Sequence, residues 1–165
     1  MSSQSTITRL QNINCSNVPL MSYSGIEEYA RVASVIDGDT IVIVLYINKA
    51  LTKLKVRFDG IDTPELRSKE KKESEAGVKS MNALKELIND KIVKVHLKHF
   101  DKYGRTLCDV YTLKPIIDDI TSVKDWLLRM QYARDYDGGY RCNWNDEQLN
   151  AVGKDRSKTT AIIIT

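Results

Sequence analysis

The apolar and polar positions of this 165-residue chain fall into segments of two periods. Ala30, Val32, Val35 and Ile36 lead into Asp37-Gly38-Asp39, and after Thr40 come seven successive apolar residues, Ile41 to Ile47. This predicts a hairpin in which the Asp-Gly pair supplies the backbone freedom of a tight reversal. Asn48 to Thr52 break the second strand. Lys53 to Phe58 alternate strictly, with Leu54, Val56 and Phe58 on one face, so Arg57 points away from the apolar side. Asp59 to Glu65 read as a turn running into a helix start, where Pro64 is tolerated because its missing N–H costs nothing. Arg67 to Ser74 are charged and expected to be exposed. From Glu75 the period becomes helical through Gly77, Met81, Leu84 and Ile88, until Asn89-Asp90 stops it. Alternation returns in Lys91 to Leu97 and in Thr106 to Thr112, which can pair across Asp101-Lys102-Tyr103-Gly104-Arg105. Val123, Trp126, Leu127 and Met130 mark a second helix capped by Thr121 or Ser122, and a weaker helical pattern spans Asp146 to Val152.

Three strands, a helix, two strands and further helices predict an α+β fold. Its main part is a small antiparallel five-stranded barrel in OB-fold order, with about three helices. Residues 1–25, rich in Ser, Asn and Thr without sustained period, read as a flexible N-terminal arm. Residues 26–153 form the domain and 154–165 a C-terminal tail, in which Ala161 to Ile164 have no explanation.

Composition narrows the class. With 42 % hydrophobic and 28 % charged residues, the chain is neither low-complexity nor collagen-like. Its seven-residue apolar run is far below the roughly 20 residues of a membrane-spanning helix, so no membrane association is expected. Net charge is only +3, but residues 49–107 hold 15 Lys and Arg against 9 Asp and Glu. A basic middle fits a phosphate-rich ligand, although solvated surface charge is the commoner origin of such a segment. Cys15, Cys108 and Cys142 have no CxxC spacing, which disfavours a disulfide framework and a zinc site and fits a reducing compartment. The N-terminus has no apolar signal core, so a cytoplasmic or nuclear setting is expected, with a mature secreted form left open. No obligate protein partner is evident.

Four polar clusters carry candidate chemistry: Asp37 to Thr40, Arg57 with Asp62 to Glu65, Asp101 to Arg105, and Tyr136-Asp137-Gly138-Gly139. Each alone has a plainer explanation as a hairpin turn, a helix cap, a strand connection or solvated charge. Together they supply what phosphodiester hydrolysis requires, which is neutralised charge at phosphorus and a placed, deprotonated water. Arg57 and Arg105 offer permanently charged planar forks matched to phosphate oxygens. Asp39, Asp62 and the Thr63 carbonyl give a hard, oxygen-only cation site of the kind calcium accepts. Glu65 is the natural partner of the attacking water. His96 and His99, in and at the end of a strand pattern, read as ordinary core or surface imidazoles.

Ile36 to Thr40, then Val56-Arg57-Phe58 with Ile61 to Glu65, then Asp101 to Arg105, resemble the signature blocks of the staphylococcal (thermo)nuclease family in the same order. The resemblance runs from about Arg31 to Gly139. It implies an OB-type barrel and calcium-dependent hydrolysis of single- and double-stranded DNA and RNA without strict sequence choice, breaking the bond to the 5′ oxygen and leaving 3′-phosphate ends. It further implies Arg57, Glu65 and Arg105 as catalytic residues, Asp39, Asp62 and Thr63 as Ca2+ ligands, and Lys102 and Tyr103 as contacts to a terminal phosphate. Tyr136 resembles a tyrosine that stacks on a nucleobase. The competing expectation is a binding module that kept the barrel and lost catalysis; such a copy should lack some of these charged residues, and here all are present.

Overall fold

A computed structural model describes residues 3–159. Five strands close into a barrel: β1 (Glu27–Val35), β2 (Thr40–Ile47), β3 (Ala50–Phe58), β5 (Ile92–Phe100) and β6 (Thr106–Thr112), hydrogen-bonded in the order β1-β2-β3-β6-β5. Their inward residues make the core. Ile41, Ile43 and Leu45 of β2, Val56 and Phe58 of β3, and Val93, Val95 and Leu97 of β5 are all essentially inaccessible to solvent. The barrel is not wholly antiparallel, as the alternation had suggested. An odd number of strands cannot alternate in direction around a closed ring, so one neighbouring pair must run parallel. That pair is β3 and β6, with Val56 opposite Thr106 and Phe58 opposite Cys108.

The long helix α2 (Lys71–Ile88) connects the first three strands to the last two and closes one end of the barrel with Leu84 and Ile88. It begins earlier than the period suggested, and the turn after Asp62 does not enter it. Residues 63–70 instead form an irregular loop, because α2 starts only at Lys71. Helices α3 (Val123–Arg129) and α4 (Asp146–Ala151) lie where the pattern placed them, with Ser122 capping α3 through its side chain and Asn145 forming a capping box with Gln148 on α4. A two-stranded ribbon pairs β4 (Ile61–Asp62) with β7 (Arg134–Asp135). A second small core, Ala76, Trp144, Leu149 and Val152, seats α4 on α2.

Two readings of turns change. The β2–β3 reversal is a two-residue turn, Asn48-Lys49, both at positive φ, so β3 starts at Ala50 rather than after Thr52. Gly38 does not need a left-handed backbone. It is required because a Cβ there would stand 2.9 Å from Thr63 Oγ1 and 3.0 Å from the Ser80 Cβ. Within residues 1–25, for which a flexible arm is expected, lies a helix, α1 (Ser3–Gln11), none of whose residues is buried. A last short helix, α5, spans Arg156–Thr159, and Ala161 to Ile164 lie outside the described residues. No described helix is long and apolar enough to cross a membrane.

Gly77 joins fold to site. A Cβ on it would lie 2.7 Å from the Pro64 carbonyl oxygen, so the 63–66 loop rests directly on the helix backbone. Ala for Gly inside a helix ordinarily gains about 1 kcal/mol. Here Gly77→Ala is expected to lose stability by about 1–3 kcal/mol, the range of overpacking, because the obstruction is backbone and cannot swing aside. Urea denaturation checks the sign; a stabilised variant would mean that the loop is free to move off α2.

Candidate active site

The parallel β3–β6 pair decides what meets at the mouth of the barrel. Arg57, next to the end of β3, lies opposite Leu107, which brings Arg105, just before β6, to the same edge. Antiparallel pairing of β2 with β3 sets Thr40 across from Arg57, so Asp39 arrives there as well. The result is an open cleft of about 1110 Å³, lined among others by Asp39, Arg57, Asp62, Thr63, Glu65, Lys102, Tyr103, Arg105 and Tyr136. All nine residues singled out in the sequence therefore border one cavity.

Their local contacts differ. Arg57 donates from Nη2 to Asp39 Oδ2 at 2.6 Å and to the Ile61 carbonyl at 3.0 Å, and its guanidinium stands 5.7 Å from the centre of the Tyr136 ring. Asp39 also accepts from the Thr40 hydroxyl. Burial pushes the Asp39 carboxyl up to about 7, against the opposing pull of Arg57. Arg105 belongs to a tight connection organised by Asp101, whose carboxylate accepts from the backbone N–H groups of Tyr103 and Arg105 and from Arg105 Nε. Gly104 at positive φ permits that turn. Lys102 and Tyr103 project from it into solvent, with Lys102 Nζ 5.3 Å and the Arg105 guanidinium 5.4 Å from the Tyr103 ring centre. Tyr136 is held by its backbone N–H on the Gly60 carbonyl and by its hydroxyl, which donates to the Gly139 carbonyl at 2.8 Å.

The loop carrying Asp62, Thr63 and Glu65 is fastened from α2. Glu73 accepts from the Glu65 N–H and the Ser68 hydroxyl, and Ser74 donates to the Leu66 carbonyl. The Glu65 side chain stays about half exposed while Asp62 is buried. Asp62 Oδ2 accepts from Arg134 Nη2 at 2.9 Å and Trp144 Nε1 at 3.1 Å, and Arg141 Nε lies 2.8 Å from Oδ1. Arg141 also donates to the Thr63 carbonyl at 2.9 Å and pairs with Glu65. Arg134, Arg141 and Trp144 were not singled out in the sequence. A tryptophan in a polar stretch just before the Asn145-x-x-Gln148 capping box was the available signal.

In donor chemistry the oxygens assigned to a cation suit one, with both carboxylates held by arginines in this structure. Asp62 Oδ1 and the Thr63 carbonyl converge on a single positive group, the Arg141 guanidinium, and every donor in the set is a hard oxygen. Asp39 is turned to Arg57. Among the described residues no group of three or more His, Cys, Asp or Glu side chains is arranged to hold a metal, so the set depends on the backbone carbonyl and on water to be complete. Of the histidines, His99 lines the cleft and His96 faces Asp109, 3.9 Å away.

The family model described as staphylococcal nuclease homologue matches residues 55–160. An uncharacterized endonuclease of Haemophilus influenzae is 36 % identical over 108 residues, 64 % of this chain and 54 % of that protein. A probable staphylococcal-like nuclease of Oryza sativa subsp. japonica is 39 % identical over 59 residues, 36 % of this chain and 14 % of that protein. The chain thus spans about half or less of the length of these curated relatives.

The Asp39 environment has a consequence for stability. A carboxyl raised to about 7 in the native state holds its proton more tightly than in the unfolded chain, where 3.8 is ordinary. Its contribution is full below about 3.8 and is lost as pH rises from there to about 7. In chelator, Asp39→Asn should therefore gain stability relative to the parent protein as pH climbs through that range, whatever constant offset the lost Arg57 pairing introduces. Urea midpoints of both proteins against pH test this, and a pH-independent difference contradicts it.

Proposed function

The chain belongs to the staphylococcal nuclease homologue family, and from that premise we propose that it is a nuclease that hydrolyses phosphodiester bonds of DNA and RNA with calcium, leaving 3′-phosphate ends. The observation that carries this reading is that Arg57, Glu65 and Arg105, remote from one another along the chain, border one open cleft beside the Asp62 and Thr63 oxygens. Two guanidiniums and an accessible carboxylate around one cavity match the needs of a phosphorane-like transition state better than those of any other chemistry the cleft's residues could perform.

Arg57 and Arg105 take the non-bridging phosphate oxygens, each as a planar donor fork. Arg57 is oriented by Asp39 and the Ile61 carbonyl, and Arg105 by Asp101, so both are aimed before substrate arrives. Glu65, half exposed at the cleft wall, accepts the proton of the attacking water. The new bond forms from water oxygen to phosphorus, the bond to the 5′ oxygen breaks, and that oxygen leaves as a hydroxyl after taking a proton from solvent. Asp39, Asp62 and the Thr63 carbonyl would hold calcium, which when bound supplies positive charge beside the phosphate. Lys102 and Tyr103 meet a terminal phosphate, and Tyr136 offers a ring face to a base. Free thiols at Cys15, Cys108 and Cys142 support a cytoplasmic or nuclear setting.

Arg105→Ala is expected to lower kcat by about 100-fold or more with the fold retained, since its partner Asp101 keeps its backbone donors. Arg57→Ala should lose as much activity but also stability, because it strands buried Asp39; Arg57→Lys keeps the charge and isolates the loss of the fork. Glu65→Gln should lose turnover and leave nucleic-acid binding intact. Single-turnover cleavage of labelled DNA with circular dichroism tests all four, and near-parental rates for Arg105→Ala reject the mechanism. A site of two carboxylates and a carbonyl is of modest affinity, so cleavage in a calcium series should require more than about 1 μM free ion. Full activity below that level rejects the assigned ligand set.

A further inference from the structure

Arg141 contacts the cleft oxygens in a way that no step above uses. We propose that its guanidinium is the resident cation of the ion site, holding the oxygens of Asp62, Thr63 and Glu65 in position until a divalent cation takes its place. Arg141 thereby sets how much of that cation the site requires. This inference rests on the assignment of Asp62 and Thr63 as ligands made under the proposed function.

Three nitrogens of one side chain reach three separate oxygens of the 62–65 loop. Nε is 2.8 Å from Asp62 Oδ1, Nη2 donates to the Thr63 carbonyl at 2.9 Å, and Nη1 donates to Glu65 Oε2 at 2.5 Å. Two of these oxygens are those assigned to the cation, and the third belongs to the proposed base. A divalent ion and a guanidinium compete for them, since two positive charges drawn to the same three oxygens repel each other at close range.

The second arginine on Asp62 shows what a permanent partner looks like. Arg134 is largely buried, lies with its guanidinium 4.3 Å from the centre of the Trp144 ring, and donates to the Asn143 and Cys142 carbonyls and to Gln148 as well as to Asp62 Oδ2. Removing it would dismantle that whole corner. Arg141 is 40 % exposed, next to Tyr140 at 90 %, and among the described residues its guanidinium hydrogen-bonds only to the loop oxygens. Swinging it into solvent gives up less burial than moving Arg134, whose side chain is 16 % exposed. Asp62 thus has one oxygen committed to Arg134 and Trp144 and one paired with a group that can leave.

Exchange carries a signature that a merely structural role does not. If Arg141 only braced the loop, its removal would lower stability and weaken cation binding, because the oxygens would lose their alignment. If it competes, removal strengthens binding. The test is calorimetric titration of the full chain with Ca2+ alone, after chelator treatment, for the parent protein, Arg141→Ala, Arg141→Gln and Arg141→Lys. Thermal melts with and without Ca2+ accompany it, and the Gln variant covers the case in which Ala does not fold. Both neutral variants are expected to bind roughly tenfold tighter than the parent, the scale of one charge-assisted hydrogen-bonded pair. The Lys variant, which keeps the charge but cannot span three oxygens, should fall between. The neutral variants should also melt lower in chelator and recover more on adding Ca2+ than the parent does. Unchanged or weaker binding in both neutral variants overturns the proposal. So does the absence of Ca2+ binding from every protein in the series. In that last case cleavage by Arg105→Ala separates the two readings: loss of activity there leaves the nuclease assignment standing while the ion exchange falls.

Discussion

A buried carboxylate dictates how this molecule closes. Asp62 is only 2 % exposed, and an ionised group in that position is tolerable only if hydrogen-bonded and paired. Its partners come from 72 to 82 residues further along the chain: Arg134, Arg141 and Trp144 all reach back to it. That demand draws residues 134–144 across the barrel mouth, where β7 pairs with β4 and the small core around Trp144 seats α4 on α2. The same carboxylate, through its remaining oxygen, then faces the cavity in which phosphate chemistry is proposed.

The barrel was legible in the sequence because its signal is periodic. Alternation in Lys53 to Phe58 and Lys91 to Leu97, and helical spacing from Glu75 to Ile88, are statements about which face is buried, and the core consists of those residues. Where the reading erred, the determining contact was not periodic. The start of α2 was missed because Lys71 to Ser74 are polar, and a helix start was placed at Pro64-Glu65 because Pro64 suits a first turn. The parallel β3–β6 closure follows from counting strands, not from any residue pattern. Gly38 was assigned for backbone freedom when it serves close approach to Thr63 and Ser80, a requirement that becomes visible only in three dimensions.

The candidate site was legible to the extent that its residues lie in compact blocks. Asp39, Arg57, Asp62, Thr63, Glu65, Lys102, Tyr103, Arg105 and Tyr136 were all named from sequence, and all line the cleft. The groups that hold them were not. Glu73, Ser74, Arg134, Arg141 and Trp144 are polar or aromatic residues in helix surfaces and loops, where a sequence offers no way to tell a solvated side chain from one tied to a distant partner. Gly77 carried a faint signal, a glycine inside an otherwise regular helix, and it marks the place where the site loop touches α2.

Three arginines that line the cleft are already paired. Arg57 is paired with Asp39, Arg105 with Asp101, and Arg141 with Asp62 and Glu65. Each of these three guanidiniums is therefore partly neutralised already, and the carboxylates paired with them are likewise engaged. Such a cleft holds neither a lone anion nor a lone cation strongly, since either must break a pair and strand the other member. Anion and cation arriving together meet no such cost, because carboxylates and guanidiniums then exchange partners without leaving a charge unpaired. Under the proposed function, coupling between ion and phosphate would follow from this pairing, and a polyanion would supply several phosphates for the several arginines at once.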